Sequence, residues 1–163
     1  MGGGLGATSL GAQFVTSVMN DKLKEITIEE WRQLGYFYDR DDINKLWIII
    51  GSPFGIKAFA NQLFQYSRNA NNKVDLEHEH WGPYCYLKIQ TWNSCGFDKG
   101  SIFGSLEDLN RLAELIYSKV QDNTIGTTLY IKEEYSNNCE YTLELRVMEY
   151  GFDPAKADKG LWE

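Results

Sequence analysis

The chain has 163 residues, enough for one domain with a substantial core, and its 43% hydrophobic and 24% charged residues match a globular composition. A formal net charge of -7, with no Lys/Arg cluster, argues against nucleic-acid binding and suits a basic partner. Cys85, Cys95 and Cys139 share no C-x-x-C spacing and only two histidines accompany them, which argues against a structural zinc motif and for reduced thiols in the cytoplasm.

The opening "MGGGLGATSLGAQFV" lacks a basic n-region and a strong apolar core, so residues 1–20 read as a flexible glycine-rich lead-in. Residues 21–163 are expected to form a single α+β domain. In "TIEEWRQLGYFY", Thr27 as N-cap and Glu30 three residues on predict a short helix from about Ile28 to Leu34, stopped by Gly35. "YFYDRDDINKLWIIIGS" reads as strand, charged turn, strand. Asp39, Asp41 and Asp42 suit a solvated turn, because the spacing and glycine of an EF-hand are missing. The run "LWIII" is too short to span a membrane.

Ser52 as N-cap and Pro53 at the first helical position open a second helix, whose apolar face is Ile56, Phe59, Ala60 and Leu63. "YCYLKIQTW" (84–92) alternates as a strand, with Cys85, Leu87 and Ile89 on one face and Tyr84, Tyr86, Lys88 and Gln90 on the other. "SIFGS" reads as a short strand. Ser105 and Asp108 then form a capping box before a helix with Leu109, Leu112, Ala113 and Ile116 on its apolar face. "DNTIG" ends that helix, and "TTLYIKEEY" and "YTLELRVMEY" form a hairpin. The tail "GFDPAKADKGLWE" is turn-rich.

The two capped helices superimpose at an offset of 53 residues, which brings Gly51-Ser52 onto Gly104-Ser105 and the two apolar faces onto each other. With flanking strands, this predicts an α+β two-layer sandwich of ferredoxin-like type. Its order is β-α-β-β-α-β with an added C-terminal strand, one sheet face covered and the other open. The open face would carry Tyr84, Tyr86, Lys88, Tyr130, Lys132, Thr142, Glu144 and Arg146, with His78, His80 and Trp81 at its entry.

"EHEHWGPY" (77–84) holds both histidines. On a strand, His78 and His80 point to one side, about 6–7 Å apart, as two ligands of a metal would. No H-E-x-x-H or carboxylate-rich partner motif supports a metal. The same pair also suits a polar sheet face hydrogen-bonded to nearby acids, or a partner-contact patch with Trp81, Tyr84 and Tyr86. "GSPFG" and "FGS" lack the P-loop lysine, and helix capping accounts for both. No nucleophile elbow, catalytic set or cofactor motif is present in the sequence.

"GSPFGIKAFANQL", "EHEHWGPYCYLKIQTW", "GSLEDLNRLAELI" and "GFDPAKAD" together resemble a small bacterial family of uncharacterised proteins, similar in plan to immunity proteins of polymorphic-toxin systems. The resemblance covers roughly residues 27–158. In the immunity family a "G-x-x-x-G-L" helix start precedes a histidine-containing strand; here Ile56 stands where that motif has leucine. The resemblance implies a cytoplasmic, non-enzymatic protein that neutralises a toxin by binding it, and carries over no toxin-contacting residue by position. The expected site is therefore a partner surface of His78, His80, Trp81, Tyr84 and Tyr86, with no cofactor, and with a homodimer through the open face as another use of it. The alternatives are a metal-dependent enzyme or sensor centred on His78 and His80, and a small-ligand regulatory domain.

Overall fold

A computed structural model describes residues 10–162, with side chains from residue 21 onward. Helix α1 runs Leu10–Leu34, strands β1 Phe37–Asp41 and β2 Leu46–Gly51 follow, then α2 Pro53–Ser67. Strands β3 His78–Trp81, β4 Leu87–Thr91, β5 Gly96–Phe97 and β6 Ile102–Gly104 lead into α3 Leu106–Lys119. Strands β7 Thr128–Ile131 and β8 Thr142–Val147 precede a tail of two short 3-10 turns, Pro154–Ala157 and Lys159–Leu161.

The helix starts follow the local chemistry. The Ser52 hydroxyl accepts from the Gly55 N–H, and Ser105 and Asp108 exchange both bonds of a capping box. Leu109, Leu112, Ala113 and Ile116 on α3 and Ile56, Phe59, Ala60 and Leu63 on α2 are fully buried. Helix α1 is longer than the sequence suggests. Thr27 is not a cap but an interior residue whose hydroxyl donates to the Leu23 carbonyl at 2.9 Å, four residues back. Gly35 ends the helix as expected, at φ 90°. Of the lead-in expected over 1–20, residues 1–9 lie outside the described residues and the backbone is helical from Leu10.

The eight strands form two mixed four-stranded sheets, β1-β2-β8-β7 and β3-β4-β6-β5, in place of the single sheet of a ferredoxin-like plan. A helix about 10 Å wide covers roughly two strands spaced about 4.8 Å apart, so α2 and α3 cannot cover eight strands in one layer. Splitting the strands lets the inner faces of both sheets bury against the helices and against each other. One core cluster accordingly joins Tyr38, Ile49 and Leu145 of the first sheet, Leu87, Ile89 and Ile102 of the second, and the apolar faces of α2 and α3.

The sequence echo acquires a structural meaning here. Each half of the chain is a hairpin, a helix and a second hairpin: β1-β2-α2-β3-β4, then β5-β6-α3-β7-β8. In each sheet the central parallel pair joins the two halves. Ile49 lies opposite Leu145 and Gly51 opposite Val147 in one, and Ile102 opposite Ile89 and Gly104 opposite Thr91 in the other. The halves have therefore exchanged their second hairpins.

Candidate partner-binding surface

The segment joining β3 to β4 does not continue the strand. Gly82 sits at φ 76°, and a Cβ there would lie 2.7 Å from Tyr38 Cε2 and 2.8 Å from Leu34 Cδ2. Tyr84 (φ 68°) and Cys85 (φ 60°) follow in the left-handed region, which costs side-chain-bearing residues about 1–2 kcal/mol each. Strand pairing resumes at Leu87 opposite Trp81. Cys85 is therefore exposed and not on the core face that strand alternation predicts.

Three distant elements hold this strained loop. From β1, the Tyr38 hydroxyl donates to the Pro83 carbonyl. From the tail, Asp158 Oδ2 accepts the Tyr84 hydroxyl at 2.6 Å. From α1, Trp31 Nε1–H donates to the same Asp158 oxygen at 2.9 Å. The rings follow suit: Trp31 stands edge-on to Tyr84 at 6.2 Å, and Tyr38 edge-on to Tyr86 at 5.6 Å.

The result is a pair of stacked tyrosines at the surface. The rings of Tyr84 and Tyr86 are 6.4 Å apart with a 14° interplanar angle, and remain 54% and 43% exposed. Partial burial raises the pKa of both hydroxyls above the usual tyrosine value and so disfavours their ionisation. The Asp158 hydrogen bond adds to the effect at Tyr84, and the charges of Asp39 and Asp158 add to it at Tyr86. Asp39 and Asp158 thus act on the stack, with the Arg40 charge opposing them at Tyr86.

The other expected site residues lie elsewhere. Trp81 is a core residue, 7% exposed, with its ring 6.0 Å from Phe59 and its Nε1–H donating to Glu79 Oε1 at 2.9 Å. His78 and His80 are exposed on β3, an edge strand, with ring centroids 5.3 Å apart at 89°. His78 Nδ1 lies 3.0 Å from the Leu76 carbonyl, and His80 is opposite Lys88. Among the described residues no group of three or more His, Cys, Asp or Glu side chains could hold a metal. Tyr130, Thr142, Glu144 and Arg146 belong to the first sheet, so the one open face expected from alternation is divided between two sheets.

Sequence reasoning missed Trp31, Tyr38 and Asp158, the residues that hold the loop. The available signal was Gly82-Pro83, which interrupts the strand and marks a turn that distant groups must support. No protein-family model, curated protein or solved structure matches this chain. Among the described residues no helix is long and apolar enough to cross a membrane.

Proposed function

We propose that this chain is a non-enzymatic protein-binding domain that acts as an immunity protein, neutralising a toxin by occupying a basic surface. The observation that carries this reading is the exposed Tyr84–Tyr86 stack on a loop fixed from α1, β1 and the tail, beside Asp39 and Asp158. Tyrosines supply large contact area with few rotatable bonds, and a loop already ordered loses little entropy on binding. The carboxylates beside the stack and the net charge of -7 suit a basic partner and speed encounter with it.

The test is co-expression with the product of the adjacent reading frame. That product should arrest growth alone, lose toxicity when this chain is present, and co-purify with it. Tyr86→Ala should weaken the complex by about 2 kcal/mol or more, beyond the smaller loss in the thermal melt expected from its edge contact with Tyr38. A non-toxic neighbour that does not bind, or a Tyr86→Ala variant that binds as tightly as wild type, would remove the reading.

A further inference from the structure

Between α2 and β3 lies a recess of about 230 Å³ whose lining includes Gln62, Gln65, Asn69, Asn72, Glu79 and Trp81. Glu79 is the one formally charged residue among those that line it. Its Oε1 accepts the Trp81 indole N–H, and among the described residues no Lys, Arg or His forms a salt bridge with it. Some of the remaining acceptors are committed: the Gln62 side-chain oxygen accepts the Tyr36 hydroxyl, and that of Asn69 accepts the Asn71 N–H. The Tyr66 hydroxyl engages the Glu77 carbonyl and Thr91 Oγ1, at 2.9 and 2.7 Å. Asn72 Nδ2 donates to the Tyr66 carbonyl at 2.9 Å, which leaves the Asn72 side-chain oxygen to accept.

We propose that this recess is a second contact site of the same binding surface and takes the guanidinium of an arginine from the partner. The proposal rests on the protein-binding reading above and names the chemistry of what is bound. The recess offers one negative charge, carboxamides and the edge of a buried indole, and no positive charge, so it favours a cation over an anion. A metal ion needs several ligands, and the described residues bring no such group together. Guanidinium is planar and presents donors in a fork to a carboxylate and an amide oxygen, where an ammonium is a compact, strongly hydrated point charge. The site also belongs to one stretch of chain with the tyrosine stack: Glu79 and Trp81 on β3 lead through Gly82 directly into Tyr84 and Tyr86.

The indole proton of Trp81 reports on the site, because it is donated to the carboxylate that would receive the cation. The probe is N-acetyl-arginine amide, followed by the Trp81 indole resonance of the isotopically labelled full chain, assigned with Trp81→Phe. The resonance should shift saturably with the arginine amide, less with the lysine amide, and not with the norleucine amide. Glu79→Gln, which keeps the shape and removes the charge, should weaken the response by about tenfold and leave the melt unchanged. An unmoved indole, or an equal response in Glu79→Gln, overturns the proposal. Against the toxic partner itself, Glu79→Gln should likewise lower affinity by about tenfold. A partner that binds Glu79→Gln as tightly as wild type sinks the recess and leaves the function reading standing. A saturable arginine response in a protein that binds no toxic neighbour sinks the function reading and keeps the guanidinium site.

Discussion

Asp158 shows how one tail residue fixes a surface far away in sequence. It is 9% exposed and a single oxygen takes donors from Trp31 and Tyr84. A carboxylate accepting two such bonds repays part of the strain stored at Tyr84 and Cys85. Asp158→Ala orphans both donors, and the Trp31 ring is buried while the Tyr84 hydroxyl can turn to water. We expect a loss of about 2–3 kcal/mol in a urea melt, with Asp158→Asn costing less because an acceptor remains. A loss below about 0.5 kcal/mol for the alanine variant would mean that the loop is held without Asp158. None of this was legible in sequence, because "GFDPAKAD" reads only as turns and nothing local reveals that its last aspartate meets Trp31. Tyr84 and Tyr86 were legible as exposed. Trp81, two residues before Pro83, was not legible as core, since an aromatic beside histidines on a strand carries no mark of the side it faces.

At the level of elements, the helices were read best, because their starts are written in neighbouring residues. Ser52 and Ser105 share the same extended backbone, with ψ of 170° and 167°. The cap on α3 is reciprocal, as Asp108 also accepts from the Ser105 N–H at 3.1 Å. Ser105→Ala should therefore cost about 1–2 kcal/mol, and more than Ser52→Ala, where Pro53 already sets the first helical φ. Leu112→Ala, at a fully buried position, should cost about 2–5 kcal/mol. Paired chemical melts rank all three, and a Leu112→Ala loss under about 0.5 kcal/mol would overturn the burial of that face. Helix α1 was read too short for a physical reason. A Thr-x-x-Glu pattern caps a helix only where the preceding residue is non-helical, and at Thr27 the helix was already running.

At the scale of the whole molecule, ion pairs tie the surface loops together and set the response to acid. The Arg32 guanidinium holds Asp153 below the usual carboxylate range, Arg40 does the same for Asp42, and Lys119 for Glu134. Each folded value lies below the unfolded one, so the unfolded chain binds protons first as pH falls. The stability these groups contribute is fully present above about pH 4–4.5 and is lost as pH drops through the folded values. Urea midpoints should match at pH 7 and pH 5 and fall by pH 3. Arg32→Gln should lower stability at pH 7 and shrink the acid drop, and an unchanged drop would show that Asp153 is not one of the responsible groups. The internal repeat was visible in sequence through its helices, yet the exchange of hairpins was not. Local patterning specifies a strand and its buried side, whereas the choice of β8 over β4 as the parallel neighbour of β2 depends on how two helices and eight strands can share one core.

That exchange sets an order on synthesis. The β1–β2 hairpin leaves the ribosome well before β8, the strand that completes its sheet. At about 5–20 residues per second, Trp47, Ile48 and Ile49 wait on the order of 5–20 s for Leu143 and Leu145 to arrive. During that wait β2 presents an apolar strand with one unpaired edge, a surface open to wrong pairing until the β7–β8 hairpin closes the sheet.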